Sequence, residues 1–394
     1  MMNERTRQPL VVPTDRDASG RSFGIEELTF VRQVLESGSL NSNSGLFVRR
    51  FEREFAAQVG AAYCVACSSG SFAVQAALFA CQLPRGSRVA TTPITDFGAI
   101  TALLYEGMEP AFCDVDPLTL MPTAQSLAPL VEQGVGAVVC THLFGRPAEA
   151  KAIRTLCDEH ETPLIEDAAQ ALGAVHEGRA AGRYGQLATF SFQQGKHLCA
   201  GEGGAVVTDS PELARLVRLF VNKAWPYGEP DPDHLFVAPN GRMTELQAAV
   251  LVAQLAKLDG FVASRRASAA ALLAEVDGLA ELSFPALPPG DRHSFWRVAL
   301  RVPRGAPVDL DALARALRED GIPAQARYVG RPAFALKALV DAGFERDPKD
   351  YPGVERGLAE CLVLAWNERI GVELACTIGQ RLRASVNRLR GRSS

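Results

Sequence analysis

The residue of this chain best placed to do chemistry is a lysine in a glycine-rich turn. In "TFSFQQGKHLCAGEGGAVVTD", residues 189–209, Lys196 stands between two strand-like runs, and glycines at 195, 201, 203 and 204 let backbone approach closely. Desolvation and neighbouring cations lower a lysine amine from its usual pKa of about 10.4, and an amine so lowered captures aldehydes as a Schiff base. A surface lysine is the ordinary alternative, so the surrounding motifs decide.

Three other stretches bear on it. "CSSGSFAVQAALFA", beginning at Cys67, puts Ser69, Gly70 and Ser71 at the start of a helical run. Unpaired amides and the helix dipole favour a phosphate there, although a serine that merely caps the helix is commoner. "PLIEDAAQALGA" puts Asp167 at the end of an apolar strand, with the small Ala169 two residues on. A carboxylate so placed needs a cationic partner, such as a protonated ring nitrogen, unless it caps the next helix. "PNGRMTELQAA" sets Asn240 and Arg242 before a long helical pattern, either on the surface or within reach of a phosphate across a subunit interface. An anion cup, a strand-end aspartate and a lysine, in that chain order, meet the needs of pyridoxal 5'-phosphate (PLP): an anion site, a counter-charge for the pyridinium and an aldehyde-capturing amine.

With these motifs in view, the chain resembles the DegT/StrS family of PLP-dependent sugar and cyclitol aminotransferases over most of its length from about Gly45. The segments that carry the resemblance include "SSGSFAVQAAL", "PAFCDVDPLTL", "THLFGRPAEAKAI", "IEDAAQALGA", "FSFQQGKHLCAGEGGAVVTD" and "NGRMTELQAAVLVAQLAKLD". The resemblance implies an α/β fold-type I transferase: a large domain with a mainly parallel seven-stranded sheet flanked by helices, and a smaller C-terminal α+β domain. It implies Lys196 as the Schiff-base lysine, Asp167 as partner of the pyridine nitrogen, and Gln170 beside the ring's 3'-oxygen. Ser69, Gly70, Ser71 and Ser191 then hold the phosphate from one subunit of a homodimer, while Arg242 and Asn240 approach from the other. Glutamate or glutamine is the implied donor and a keto sugar nucleotide or keto-cyclitol the acceptor, as in sugar or antibiotic biosynthesis. The rival readings are elimination or dehydration on the same fold, and a PLP-binding regulator without turnover. Relatives that dehydrate sugars replace the lysine with histidine, which Lys196 argues against.

The chain departs from the family pattern in two places. Where an aromatic residue usually stacks on the cofactor ring, "TTPITDFGAITALLY" offers Asp96, with Phe97 next to it. Either Phe97 takes over the stacking after a one-residue shift, or Asp96 meets the ring edge or the substrate. In "PNGRMTE", Gly241 replaces a bulky residue, which is expected to open space near the phosphate or substrate. Substrate-lining candidates are His142, His293 and Tyr328, with Trp296, Arg327, Arg331, Trp366, Asn367 and Glu368 in the same regions. For the histidines and aromatic residues, a place in the core is the competing reading.

The elements that must position these residues follow from hydrophobic spacing. Residues 88–94, 109–116, 136–145, 162–171, 187–192 and 203–209 read as strands in a βαβ rhythm. Their continuous apolar runs suit a parallel sheet buried on both faces, whose functional residues gather at the strands' carboxyl ends. "SLAPLVEQG" and "AEAKAIRTLCDEH" have helical spacing, the first capped by Ser126. Residues 243–274 form a long helical pattern interrupted near Gly260, and residues 293–302, the "DLDALARALREDG" stretch and "IPAQARYV" give a strand, a helix and a strand. The expected division is an N-terminal arm over 1–24, a large domain over 25–256 and a small domain over 257–394.

Composition narrows the partners. A net charge of −4 and the lack of any Lys/Arg-rich block argue against nucleic acid. No segment reaches about 18 uncharged apolar residues, so a membrane is not expected and a cytoplasmic location is. The nine cysteines include a single C-x-x-C, Cys64 and Cys67, in a stretch that reads as a buried strand, and no metal site is expected. There is no G-x-G-x-x-G after the first strand and no G-x-x-x-x-G-K-[ST], so a nucleotide-binding module is disfavoured.

Overall fold

The apolar runs of the first half of the chain become strands because helices cover them on both faces. In the computed structural model, which describes residues 8–391, the seven strands of the main sheet are Tyr63–Cys67 (β1), Arg88–Thr91 (β2), Glu109–Phe112 (β3), Ala137–Thr141 (β4), Leu164–Asp167 (β5), Leu187–Ser191 (β6) and Gly204–Thr208 (β7). Their order is β1-β7-β6-β5-β4-β2-β3; β7 runs antiparallel to both neighbours and the other pairings are parallel. The strands end earlier than the apolar runs suggest: β2 stops at Thr91, β4 at Thr141 and β5 at Asp167. The remainder of each run leaves the sheet at its carboxyl edge, where Asp167 stands abreast of Thr141 and Thr189.

The helices of this half are Ile25–Ser37 (α1), Phe47–Val59 (α2), Gly70–Ala80 (α3), Phe97–Tyr105 (α4), Ala124–Glu132 (α5), Ala150–Glu159 (α6), Pro211–Val221 (α7) and Glu245–Leu255 (α8). Alternate residues of β1 point to opposite faces: Cys64 and Ala66 pack with Phe51 and Phe55 of α2, Val65 and Cys67 with Ala73 and Ala77 of α3. Both thiols of the C-x-x-C are thus core groups, and burial pushes Cys67 up to about 12. Helix α3 is apolar almost all round, as a helix enclosed between sheet and neighbours must be.

Two helical expectations need correction. Thr123, not Ser126, caps α5: its hydroxyl accepts from Ser126 N at 3.0 Å, and the Ser126 hydroxyl accepts from Thr123 N in return. The pattern over 243–274 breaks between α8 and Leu258–Val276 (α9), which meet at 58°, and Gly260 lies inside α9. Gly260 faces open space, where a helical glycine costs only about 1 kcal/mol. At the break, Lys257 is held instead by Glu26 and Glu27 of α1.

Beyond the break, Arg297–Arg301 (β8), Ala324–Ala326 (β9) and Cys361–Ala365 (β10) form an antiparallel sheet in the order β8-β10-β9. The second half of α9, Leu310–Glu319 (α10) and Val372–Arg390 pack on it as one core, joined by Leu10 and Val12 of the arm. Phe334 and Leu339 cross back onto Phe112 of β3, and Val354 and Leu358 onto Leu120 and Leu127. We propose the domain boundary at residue 256, at the bend between α8 and α9, although Leu258, Phe261 and Val262 at the start of α9 still pack in the first core. Among the described residues no single helix is long and apolar enough to cross a membrane; the bent α8–α9 pair passes on length and composition alone, and its apolar side chains fill the two cores.

One buried carboxylate ties the sheet to its connections. Glu166 accepts hydrogen bonds from Gly182 N at 3.0 Å and from Tyr184 N and Gly185 N at 2.6 Å each, and lies 2.9 Å from His142 Nε2. Burial pushes its pKa up, but these donors outweigh it and the net shift is downward. A depressed carboxyl contributes stability that is complete above its ordinary pKa and is lost as pH falls through the lower folded value. Glu166→Gln should therefore lose about 3 kcal/mol at neutral pH, read by urea unfolding, and its deficit against the parent should shrink below pH 4.

Candidate active site

A cavity of about 320 Å³ opens at the carboxyl edge of the main sheet. One wall is the start of α3. Ser69 caps the helix, its hydroxyl accepting from Phe72 N at 3.1 Å, and no acidic residue occupies the first turn to cancel the positive helix end. The turn sits tight against β6 and β7. A Cβ on Gly70 would stand 2.7 Å from Ser191 Cβ, and one on Gly204 would stand 2.2 Å from the Ser69 carbonyl oxygen. Ser69, Gly70, Ser71 and Ser191 accordingly share this wall.

Asp167 and Ala169 form the floor. The aspartate is 6% exposed, and one oxygen accepts from Ala169 N at 3.1 Å. Burial raises its pKa against the opposing pull of that N–H and of Lys196, which describes a carboxylate short of a cation. Gln170 is pinned at both ends of its amide, accepting from Phe144 N at 3.2 Å and donating to the Tyr328 hydroxyl at 2.8 Å. Tyr328 and Arg327 both have left-handed backbone, φ +44° and +60°, and this strained pair turns the phenol into the cavity.

Lys196 lies half-buried on the opposite side, its Nζ 4.5 Å from the centre of the Trp296 ring. Desolvation lowers the amine to about 8, although Asp167 and Asp96 pull the other way. Trp296 in turn donates from Nε1 to the Gly195 carbonyl at 2.7 Å.

Other expected residues lie elsewhere. The carboxylate of Asp96 lines the cavity while one of its oxygens caps α4 through Gly98 N at 2.9 Å; Phe97 packs with Ile100 and Phe112 and does not face the site. His142 is fully buried, accepting from Ala148 N at Nδ1 and so donating from Nε2 to Glu166, and it is not part of this cavity's lining. His293 accepts from Phe295 N and stacks on the Phe295 ring at 4.0 Å, the core placement that was its competing reading. Trp366 is core, Asn367 and Glu368 bind other protein groups, and Arg327 pairs with Asp311. Asn240 and Arg242 stand outside the cavity. Arg242 lines a separate depression with Arg49 and Arg218, and its buried Nη1 has no partner among the described residues. The space beside Gly241 is not open: the Phe72 ring fills it, 2.1 Å from where a Cβ would be.

Gln193, Glu202, Val74 and Ala99 also line the cavity and were not singled out from sequence. Gln193 and Glu202 belong to the lysine turn itself, so their nearness was signalled. Val74 and Ala99 gave no signal beyond apolar helix positions.

A mainly parallel sheet with a lysine and a buried aspartate facing one cavity at its carboxyl edge is the architecture of a fold-type I transferase. The family model described as "DegT/DnrJ/EryC1/StrS aminotransferase family" matches residues 22–383; the chain belongs to that family and is an aminotransferase. It is 36% identical to the dTDP-3-amino-3,4,6-trideoxy-alpha-D-glucose transaminase of Streptomyces venezuelae, over 75% of this chain and 77% of that one. It is 37% identical to the L-glutamine:2-deoxy-scyllo-inosose aminotransferase of Streptoalloteichus tenebrarius, over 56% of this chain and 54% of the relative. The crystal structure of the aminotransferase TlmJ from Streptoalloteichus hindustanus superposes with a TM-score of 0.85 at 30% identity, covering 93% of this chain and 98% of that one.

The electrostatics make a direct prediction. In cofactor-free protein the carbamylation rate of Lys196, followed by peptide mass spectrometry, should titrate with a midpoint near 8. Because Asp167 holds the amine's pKa up, Asp167→Asn should move that midpoint lower; a move upward would overturn the electrostatic account.

Proposed function

We propose that the cavity binds pyridoxal 5'-phosphate and that the protein transfers an amino group from glutamate or glutamine to a ketone on a sugar nucleotide or cyclitol. The observation that carries this reading is the pairing in one cavity of a desolvated lysine with a buried carboxylate that lacks a cation. The residues present suit the cofactor: the free end of α3 with the hydroxyls of Ser69, Ser71 and Ser191 for the phosphate, and Asp167 for a protonated ring nitrogen. Gln170, held by Phe144 and Tyr328, would address the ring oxygen, and the Ala169 methyl leaves room for the ring.

When bound, the cofactor supplies an aldehyde carbon that takes up amino groups and a conjugated ring that accepts an electron pair. Lys196 Nζ would be the amine that holds that aldehyde and, once released, the group that accepts and returns the donor's α-proton. A pKa near 8 suits both tasks, because the amine is readily obtained in either protonation state near neutral pH. Asp167 would keep the ring nitrogen protonated, and burial would strengthen that attraction. By the family resemblance Asp96 takes the place of an aromatic residue over the ring, so a carboxylate in this cavity wall would meet the ring edge or the substrate.

The active unit in this reading is a homodimer with its sites at the subunit interface, completed by Arg242 and Asn240 of the second subunit. The unpartnered Arg242 Nη1 supports the homodimer, and the compounds named for the two relatives, a deoxy-scyllo-inosose and a dTDP-sugar, support the acceptor class.

In protein loaded with pyridoxal phosphate, borohydride should bleach an absorption band at about 420 nm and fix the cofactor irreversibly at Lys196, and Lys196→Ala should abolish that adduct and lower kcat by about 10³-fold or more. An adduct that persists in the variant would reject Lys196. Mixing Lys196→Ala with Arg242→Ala protein should restore about a quarter of the unsubstituted rate, since half the dimers are then mixed and each carries one intact site. No recovery on mixing would place Arg242 in its own subunit's site.

A further inference from the structure

The backbone of the lysine turn is held from outside. Arg21 Nη1 donates to the Lys196 carbonyl at 2.8 Å, Arg21 Nη2 donates to the Gln194 carbonyl, and Trp296 Nε1 donates to the Gly195 carbonyl at 2.7 Å. Three successive carbonyls are thus each taken by a side chain more than a hundred positions away in sequence. Backbone carbonyls at a turn are usually left to solvent or paired nearby, so this arrangement fixes the turn with unusual completeness.

Arg21 is itself pinned. Its side chain is 1% exposed and lies 3.3 Å from the Asp15 carboxylate, whose other oxygen accepts from Arg297 at 2.9 Å. The Asp15 carbonyl accepts from the Gln194 side chain at 2.8 Å, and the Pro13 carbonyl from Asn367 at 2.8 Å. The arm is thereby fastened to the lysine turn, to β8 and to the loop after β10. Asp15 and Arg21 both lie before residue 22, where the family match begins.

We infer that Arg21 is a positioning residue: the N-terminal arm, docked through Asp15 and Pro13, clamps the turn and sets the place of the Lys196 amine in the cavity. The clamp acts through the backbone and touches neither cofactor nor substrate. The groups nearest the amine in charge and contact are Asp167, Asp96 and Trp296, and Arg297 also lies over the tryptophan ring. Loosening the turn would admit water to an amine now desolvated and move it relative to these groups. Displacement of a reacting group by about 1 Å can cost about a hundredfold in rate. The inference rests on the reading of Lys196 as the cofactor lysine.

The test uses full-length Arg21→Ala, Arg21→Lys and Asp15→Asn proteins, each checked for folding by its thermal melt. In cofactor-free Arg21→Ala, the carbamylation midpoint of Lys196 should rise from about 8 toward the ordinary 10.5. Loaded with pyridoxal phosphate, the same variant should lose about tenfold to a hundredfold in kcat for the glutamate half-reaction, with KM within about twofold. Arg21→Lys, which can serve one carbonyl but not two, and Asp15→Asn, which frees the guanidinium, should fall between, and they decide the matter should Arg21→Ala not fold. A folded variant whose arm is newly cleaved by proteinase K but whose midpoint and kcat match the parent would overturn the inference. Failure of borohydride to fix the cofactor at Lys196 in the unsubstituted protein would instead reject the cofactor reading, and the labelling midpoints would still report on Arg21.

Discussion

Two consecutive carboxylates at the end of β5 meet opposite fates, and the rest of the structure depends on that contrast. Strand geometry sends Glu166 and Asp167 to opposite sides of the sheet. Glu166 finds three backbone N–H donors and an imidazole, so it is at rest and its charge is fully answered. Asp167 receives one N–H at 3.1 Å and remains in want of a cation. A buried charge left this far from compensation costs several kcal/mol, so the fold must hold it in place by other means, and a bound cation returns that energy as affinity. His142 belongs to the satisfied side of this divide, and Lys196 faces the unsatisfied one.

That division also explains what could be read from the sequence. The strand-end aspartate, the serine turn before α3 and the lysine turn each lie within a few residues of the element that places them, so local spacing reveals them. The strand lengths were overread because apolar residues continue past β2, β4 and β5 into loops buried against the second core. An apolar run records burial and not hydrogen bonding. His142 and His293 were left between two readings for a related reason: a histidine near a strand looks the same in sequence whether its ring meets a substrate or a neighbouring amide.

Tyr328 and Trp296 were legible as candidates and both line the cavity, but how they reach it was not, and Arg21 gave no signal at all. Tyr328 enters the cavity through two left-handed residues, neither of them glycine, so the usual composition cue for such backbone is missing. Trp296 and Arg21 act on carbonyls 101 and 175 positions away, and no periodicity encodes such a pairing. The Asp96 departure could be seen from sequence. What it could not show was that the same carboxylate caps α4, so one residue serves both the helix and the cavity wall.

The long reach of the carbonyl clamp has a consequence in time. Residues 63–208 contain every strand of the main sheet, so the sheet and the serine cup can form once that portion of the chain is made. The lysine turn receives its last partner groups only after Trp296, Arg297 and Asn367 have been added and the arm has docked beside them. On the proposed reading of Lys196, the desolvation that lowers its amine is therefore a property of the finished chain and not of the turn that carries it.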